Sequence, residues 1–178
     1  MKKLFLSLVC LCATLTVANA QTEYPNKGYR GFVGVGYNSG MGDYDMYDRI
    51  SISTSHGYQI SPYLFVGAGI AEQIYFLNYE DEDLDDETWT AMPIFGNVRC
   101  DFLQKKISPF LDVRVGGSPI GDINGMYVAT TVGCRIKHIN VGLGYEIQQT
   151  EVSDGWDSET VNLGAFSVKV AFDFGSRK

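Results

Sequence analysis

The sequence predicts an all-β fold: an eight-stranded antiparallel up-and-down transmembrane β-barrel with a polar lumen that is filled by side chains. Three observations predict it: long segments that alternate between two kinds of residue, connections that alternate between short and long, and apolar faces that carry aromatic and β-branched residues. Period-two alternation is typical of a strand whose two faces meet different environments. Polar residues inside and apolar residues outside are typical of an outer-membrane barrel.

The segment Thr160–Phe174 shows this inversion most clearly. Its apolar face carries Gly164, Phe166, Val168, Val170, Phe172 and Phe174, and its other face carries Ala165, Ser167, Lys169, Ala171 and Asp173. A strand usually has about five or six residues, whereas a tilted strand that crosses a bilayer needs ~9–11. The length and the two faces therefore predict a membrane-spanning strand.

Seven further segments repeat the pattern: Tyr29–Asn38, Ile50–Ile60, Tyr63–Phe76, Thr88–Phe102, Ile107–Gly117, Met126–His138 and Ile139–Gln149. Pro93 cannot donate a ladder hydrogen bond, so we expect a bulge or a rim position there. Glu72 is the exception in its segment because it falls on the apolar face. The connections at 61–62, 103–106 and 138–139 are short, and those at 39–49, 77–87, 118–125 and 150–159 are long. This alternation predicts an up-and-down barrel with both termini at the short-turn end.

The N-terminal residues predict a secretory signal peptide. A basic pair at Lys2 and Lys3 precedes an apolar run and the small-x-small sequence Ala18-Asn19-Ala20. The apolar run is shorter than the ~20 residues that a spanning helix needs. We therefore expect residues 1–20 to be cleaved and residues 21–178 to form a single barrel domain.

Two cysteines, Cys100 and Cys134, remain after that cleavage, and a pair in an exported chain suggests a disulfide. Both fall on the apolar faces of strands that are not adjacent. A disulfide needs Cα atoms within about 7 Å, and two sheet spacings already exceed that distance. We expect both cysteines to be small lipid-facing residues, with the disulfide as the alternative.

Charged residues of both signs fall on the inward faces. The expected lumen network consists of Arg30, Arg99, Asp101, Asp112, Arg114, Arg135, Glu146, Lys169 and Asp173, with Lys137 beside them. An eight-stranded barrel is just wide enough to be filled by its own side chains. We therefore expect a paired, hydrogen-bonded core that seals the lumen, with inward glycines making room for long Arg and Tyr side chains. A narrow pore or a proton path is the alternative.

The long connections hold most of the chain's 21 acidic residues. One of them carries the run Glu80, Asp81, Glu82, Asp83, Asp85, Asp86 and Glu87. A solvated acidic rim is the expected role, and weak attraction of divalent cations is the alternative, because Ca²⁺ prefers carboxylate oxygens. The run lacks the central glycine and the spacing of an EF-hand, so no dedicated metal site is predicted.

The sequence offers little for catalysis. Only His56 and His138 can act as bases near neutral pH, and both fall on the outward face. Ser55 points to the opposite side from His56, so the two cannot form a nucleophile–base pair. Cysteine and histidine residues do not occur at metal-ligand spacing, and no glycine-rich phosphate loop follows a strand. We therefore expect a protein that is not an enzyme, has no cofactor and binds no nucleic acid.

These features resemble the OmpA/OmpX type of small, porin-like outer-membrane barrel of Gram-negative bacteria, over residues 29–174. Phe172-Asp173-Phe174 looks like the aromatic-x-aromatic assembly signal of such proteins, although Gly175–Lys178 run past it. The resemblance implies a location in the cell outer membrane, contact with its lipid and lipopolysaccharide, and recognition of Phe172 and Phe174 by the barrel-assembly machinery. The expected function is a structural or surface-interaction role without an open pore. The sequence does not specify the extracellular partner of its acidic loops. An outer-membrane enzyme and a soluble exported ligand-binding barrel are the alternatives.

Overall fold

The computed structural model describes residues 27–41, 47–77, 88–153 and 158–175, which form strands and turns. Its nine strands are β1 (Gly28–Met41), β2 (Tyr47–Ser61), β3 (Leu64–Leu77), β4 (Trp89–Ala91), β5 (Ile94–Asp101), β6 (Ile107–Ser118), β7 (Gly125–Ile136), β8 (Ile139–Ser153) and β9 (Ser158–Gly175). In this part of the chain, no helix is long and apolar enough to cross a membrane. The signal peptide predicted at residues 1–20 lies outside the described residues.

The sheet closes on itself. Each strand pairs with its neighbours in antiparallel fashion, and β1 pairs with both β2 and β9. At this seam, Val35 lies opposite Val170 and Arg30 lies opposite Gly175. β4 and β5 both pair with β3 and therefore share one strand position in the barrel wall. The nine strands fill eight positions around the barrel. The predicted eight-stranded antiparallel up-and-down barrel is confirmed.

The interruption between β4 and β5 lies at Met92 and Pro93, where the sequence predicts a bulge. The Ala71 N–H donates to the Pro93 carbonyl at 2.9 Å, which keeps this point attached to β3. The Met92 N–H turns away and donates to the Ile120 carbonyl at 3.0 Å. Proline has no N–H for the ladder, so the chain is held here from the connection between β6 and β7. The predicted irregularity at Pro93 is confirmed.

The alternation of the sequence maps onto the two faces of the barrel wall. Outward side chains are apolar and exposed, as at Leu143, which is 63% exposed. Inward side chains are largely polar and buried, as at Arg30, Gln73 and Glu146. This arrangement is the inverse of a soluble domain. Hereafter the short-turn end carries the turns around residues 62–63, 102–106 and 137–138, and the long-loop end is opposite.

Strands extend further toward the long-loop end than the sequence predicts. β8 and β9 remain paired as far as Ser153 and Ser158, within the stretch 150–159 that the pattern assigns to a loop. β2 begins at Tyr47, so the predicted loop 39–49 ends too late. These ends contain Thr, Val and Tyr, which favour strands, but their acidic neighbours give them the composition of a loop.

Two predictions concern residues near the short turns. Lys137, which we expected inside the lumen, is exposed in the turn after β7 with a φ of 57°. Tight hairpins require left-handed backbone at the turn, and this conformation takes Lys137 off the wall, so that expectation is wrong. Cys100 and Cys134 are both free, with Cys134 exposed on the outer face. Their predicted separation on non-adjacent strands is confirmed, because β6 lies between β5 and β7.

Candidate functional site

At the short-turn end, the lumen is organised around the carboxylate of Asp101. Arg30 and Arg135 donate to its Oδ2 at 2.6 and 3.0 Å, and Arg99 donates to its Oδ1 at 3.2 Å. Arg30 also reaches Asp173 across the seam at 2.7 Å. These five side chains come from β1, β5, β7 and β9. The Asp101 cluster therefore joins β5 to β1, β7 and β9, none of which pairs with β5 through its backbone.

The middle of the lumen is organised around Asp112. Arg114 Nε donates to its Oδ1 at 2.9 Å, and Asn97 Nδ2 donates to its Oδ2 at 2.9 Å. Asn97 in turn accepts a hydrogen bond from Ser55 at 2.9 Å. Charge-assisted bonds of this kind are stronger than bonds between neutral groups. The Asp112 group links β2, β5 and β6 across the lumen.

Toward the long-loop end, the lumen is organised around Glu146. Its Oε2 accepts from Gln73 at 3.1 Å and from Arg49 at 3.5 Å, and Lys169 forms an ion pair with its Oε1. Arg49 is missing from the predicted network, because the sequence pattern assigns it to a loop. The alternation of the strand identifies it, because Arg49 lies two residues before the inward Ser51 and therefore on the same face of β2.

All nine predicted network residues face the lumen, and the two residues that differ are Arg49, which the prediction omits, and Lys137, which it adds. The nine residues form ion pairs in the three groups described above: Arg30, Arg99, Asp101, Asp112, Arg114, Arg135, Glu146, Lys169 and Asp173. The sequence predicts the inward direction of each side chain, and the structure adds which side chains meet.

Buried phenylalanine rings support the guanidinium groups. Arg99 lies 3.7 Å from the ring centroid of Phe110, and Arg114 lies 5.0 Å from that of Phe95. A guanidinium is planar and weakly hydrated, and it stacks on aromatic faces. A Cβ at Gly133 would lie 2.7 Å from the Phe110 ring. The same Cβ would lie 2.2 Å from the Val141 carbonyl oxygen, so this inward glycine makes room for the neighbouring backbone and the ring, and not for a long Arg or Tyr side chain as the sequence analysis expects.

An apolar cluster covers the lumen at the long-loop end. It consists of Tyr75, Ala91, Ile123, Val161 and Leu163, with Tyr47 packed against them, and is called the mouth plug hereafter. Ile123 comes from the connection between β6 and β7, which folds back so that Gly121 bridges Ala91. The φ of Gly121 is +112°, and a Cβ there would lie 2.5 Å from the Thr90 carbonyl oxygen. The sequence analysis does not find this cluster, although Val161 and Leu163 continue the inward series of β9.

Asp122 holds that connection against β4. The backbone N–H and the hydroxyl of Thr90 donate to its Oδ2 at 2.8 and 3.0 Å. These two hydrogen bonds, the backbone bond first, hold the pKa of the Asp122 carboxyl below its ordinary value. The acidic run at residues 80–87, with its predicted weak attraction for cations, lies outside the described residues.

The aromatic side chains of the predicted assembly signal pack around the two histidines. The ring centroid of Phe174 lies 5.8 Å from that of His56 and 6.5 Å from that of Tyr29, across the seam of the barrel. The ring centroid of Phe172 lies 5.7 Å from that of His138, at the turn before β8. The two phenylalanines therefore contact both neighbours of β9.

His56 lies next to two hydroxyl residues, Ser55 in the sequence and Thr54 on the same face of β2. Ser55 turns inward, away from His56, so the predicted opposite orientation is confirmed. On the outer face, the Thr54 hydroxyl lies 2.9 Å from His56 Nε2, but it donates to the Phe32 carbonyl at 3.2 Å. Among the described residues, no group of three or more His, Cys, Asp or Glu side chains could hold a metal ion.

Comparisons with known proteins give a match in structure only. No protein-family model matches the sequence, and no curated protein matches it. The solved structures that match include the crystal structure of Neisserial surface protein A (NspA), with a TM-score of 0.49 and 16% sequence identity. That match covers 82% of this chain and 96% of the NspA chain.

Proposed function

We propose that this protein is an outer-membrane β-barrel of the OmpA/OmpX type, without an open pore, which has a structural or surface-interaction role. The observation that carries the proposal is the inversion of the barrel: an exposed apolar wall surrounds a buried, ion-paired lumen. Soluble monomers rarely expose apolar patches larger than a few hundred Å². In a hydrocarbon layer the same wall is favourable, and the closed ladder leaves no unpaired sheet edge.

Aromatic side chains at the two ends of the wall support a membrane position. Tyr29, Tyr58, Tyr63 and Phe102 are exposed at the short-turn end, and Tyr37, Trp89 and Phe166 are exposed nearer the long-loop end. Outer-membrane barrels carry such aromatic girdles at both interfaces, with short turns in the periplasm and longer loops outside. In this orientation the acidic connections are extracellular, and they are the surface available to an external partner.

The filled lumen supports a protein without an open pore. The mouth plug covers the long-loop end, and the Asp101 cluster crosses the short-turn end. A soluble carrier of an apolar ligand needs a largely apolar cavity, whereas the described interior is charged and hydrogen-bonded. An outer-membrane enzyme needs converging catalytic groups, and both histidines are engaged in contacts of the wall. These features favour a structural or surface-interaction role over either alternative.

Envelope fractionation combined with heat-modifiable gel migration tests the location. We expect the protein in the outer-membrane fraction and expect the unheated folded form to migrate differently from the boiled form. Recovery in the soluble periplasmic fraction would refute the proposal. Planar-bilayer recordings of the refolded protein test whether the barrel lacks an open pore. No steady conductance is expected, and stable discrete channels would refute a closed lumen.

A further inference from the structure

The exposed lysines of the described residues lie at the short-turn end of the barrel. Lys27 precedes β1, Lys105 and Lys106 lie in the turn between β5 and β6, and Lys137 lies in the turn after β7. Lys105, Lys106 and Lys137 are called the turn lysines hereafter. The other basic side chains of the described residues form ion pairs in the lumen. Exposed positive charge in this part of the chain is therefore confined to one end.

Nearby carboxylates do not neutralise the turn lysines. The acidic side chains that the structure describes at the short-turn end are Asp101 and Asp173, and both face the lumen, where arginines hold them. The ion pairs among the described residues include none with a turn lysine. The outer surface at this end therefore carries uncompensated positive charge.

Backbone hydrogen bonds hold the two turns together. The Lys137 N–H donates to the Lys106 carbonyl at 2.9 Å, so these lysines leave neighbouring points of the backbone. The first turn is also attached to the wall, because the Leu103 N–H donates to the Ser108 hydroxyl at 3.0 Å and Arg135 donates to the Leu103 carbonyl at 3.4 Å. The turn lysines therefore start from one small, fixed area.

Lys137 occupies a backbone position that suits glycine. Its φ is 57°, in the left-handed region. Residues with a side chain are uncommon there, and tight hairpin turns prefer Gly, Asn or Asp at such positions. The sequence places a lysine here in spite of the backbone cost. A strained position of this kind is a reason to look for a function of the side chain.

The turn lysines lie directly beyond the exposed apolar wall. Ile107 and Ile136 are opposite each other on β6 and β7, are 59% and 48% exposed, and each adjoins a turn lysine in the sequence. In a bilayer the headgroup region lies immediately outside the hydrocarbon core. A phospholipid can therefore contact the isoleucines with its acyl chains and the lysines with its phosphate. A soluble anion meets only the lysines.

We propose that the turn lysines bind one phospholipid with a net negative headgroup, in the leaflet at the short-turn end. The proposal rests on the membrane position proposed above. The lysines attract the phosphate as point charges, and the wall at Ile107 and Ile136 receives the acyl chains. The apolar wall favours a lipid over an acidic polypeptide, because a polypeptide in the aqueous phase leaves the isoleucines uncovered.

Native mass spectrometry of the refolded protein in an uncharged detergent tests the proposal. The protein is titrated with phosphatidylglycerol or with phosphatidylcholine, which has the same phosphate but no net charge. The first phosphatidylglycerol should be retained at a lower concentration than phosphatidylcholine. Equal retention of the two lipids would overturn the proposal. Inorganic phosphate at the same concentration should not displace the lipid, and displacement would overturn the assignment to a lipid.

Two variants test the turn lysines. Lys106→Gln and Lys137→Gly should each weaken the apparent affinity for phosphatidylglycerol about fivefold, the usual effect of one basic residue near an anionic lipid surface. Glycine adopts positive φ without a steric penalty, so Lys137→Gly should unfold in urea at the wild-type midpoint or above it. Its loss of binding is therefore separate from any loss of fold. Wild-type affinity in both variants would overturn the proposal.

Lys27→Gln is the matched control. It removes the same charge at the same end, but β1 lies across the barrel from β6. We expect wild-type affinity for phosphatidylglycerol in this variant. A loss equal to that of Lys106→Gln would mean diffuse attraction by the whole end, and the assignment to the turn lysines would be wrong.

The lipid preference and the membrane position have separate readouts. Refolding into phosphatidylcholine bilayers, followed by gel migration of unheated samples, tests the membrane position alone. A barrel that folds there but shows no preference for phosphatidylglycerol would overturn the lipid site and leave the proposed function intact. A barrel that does not fold in bilayers would overturn the proposed function, and the lipid site with it.

Discussion

Arg114 Nε donates to Asp112 Oδ1 at 2.9 Å, which joins two inward side chains that lie two residues apart on β6. Both side chains are buried, and the same carboxylate also accepts a hydrogen bond from Asn97. Removing the carboxylate therefore leaves the buried Arg114 guanidinium without its counter-charge and takes the shorter of two acceptors from the Asn97 amide. Substitutions at Asp112 therefore test whether the buried charges of the lumen stabilise the fold.

Asp112→Leu should lower the free energy of unfolding by about 3–5 kcal/mol, the usual cost of breaking a buried ion pair from one side. Asp112→Asn is the matched control, because it keeps the shape and one accepting oxygen, and its loss should be smaller. Urea unfolding of the refolded protein in detergent measures both. Wild-type stability of Asp112→Leu would contradict a structural role for the lumen charges.

The mouth plug makes a second prediction. Ile123→Ala should lower the free energy of unfolding by about 2–5 kcal/mol, because the buried side chain leaves a cavity among Val161 and Leu163. Ile120→Ala, in the same connection but with an exposed side chain, should change it by about 0.5 kcal/mol or less. Urea unfolding compares the two. Similar losses in both variants would mean that the plug does not depend on Ile123.

The carboxyl of Asp122 makes the anchoring of the plug depend on pH. Its pKa is lowered by the bonds from Thr90, so its contribution is present above the unfolded value near ~3.9 and is lost as the pH falls through the lowered folded value. Amide hydrogen exchange at Thr90 should therefore be faster in Asp122→Ala than in wild type at neutral pH. At each pH the two proteins are compared directly. A difference that does not shrink as the pH falls below the ordinary titration range of a carboxyl would contradict this mechanism.

The aromatic contacts of β9 predict an effect on assembly. Replacing Phe172 and Phe174 by Ala should reduce the amount of folded barrel in the outer membrane, because both rings pack against the neighbours of β9 at the short-turn end. Phe166→Ala is the control, since Phe166 is an outward aromatic of the same strand nearer its other end. Gel migration of unheated samples gives the folded fraction. An equal decrease in the control would show that position on the strand is unimportant.

The inward or outward direction of the side chains in the barrel wall could be predicted from the sequence, because it depends only on position within one strand. Each inward or outward direction follows from parity within a strand, and this is enough to place Arg30, Asp112 and Glu146 in the lumen. Parity fails only where the strand ends are misjudged. Arg49 is missed because β2 starts earlier than its composition suggests, and Lys137 is wrongly included because the turn changes its backbone direction.

The contacts inside the lumen could not be predicted, because they join strands that are far apart in the sequence. Parity shows that Asp101 points inward, but it does not show that Arg30 and Arg135 both reach it. The mouth plug depends on a connection that folds back onto β4, and nothing in residues 119–124 alone indicates that Ile123 meets Val161. Closure of the barrel brings these residues together, and its register decides which of them touch.

The last prediction tests the environment of the outer wall. Val168 lies near the middle of β9, opposite Tyr37 and Leu143, and is 50% exposed. At a surface in water, Val168→Arg should change the free energy of unfolding by no more than about 0.5 kcal/mol. Within the hydrocarbon layer, Arg near the midplane costs about 2–4 kcal/mol. The two environments therefore predict different outcomes for a single substitution.

The measurement is urea unfolding of the protein refolded into phospholipid bilayers, with Val168→Leu as the control of similar polarity. We expect Val168→Arg to lose about 2–4 kcal/mol and Val168→Leu to remain close to wild type. The valine is outside the barrel, so a loss confined to Arg cannot come from disturbance of the lumen. It must come from placing a charge in lipid. A wild-type free energy for Val168→Arg in bilayers would show that this wall does not face hydrocarbon.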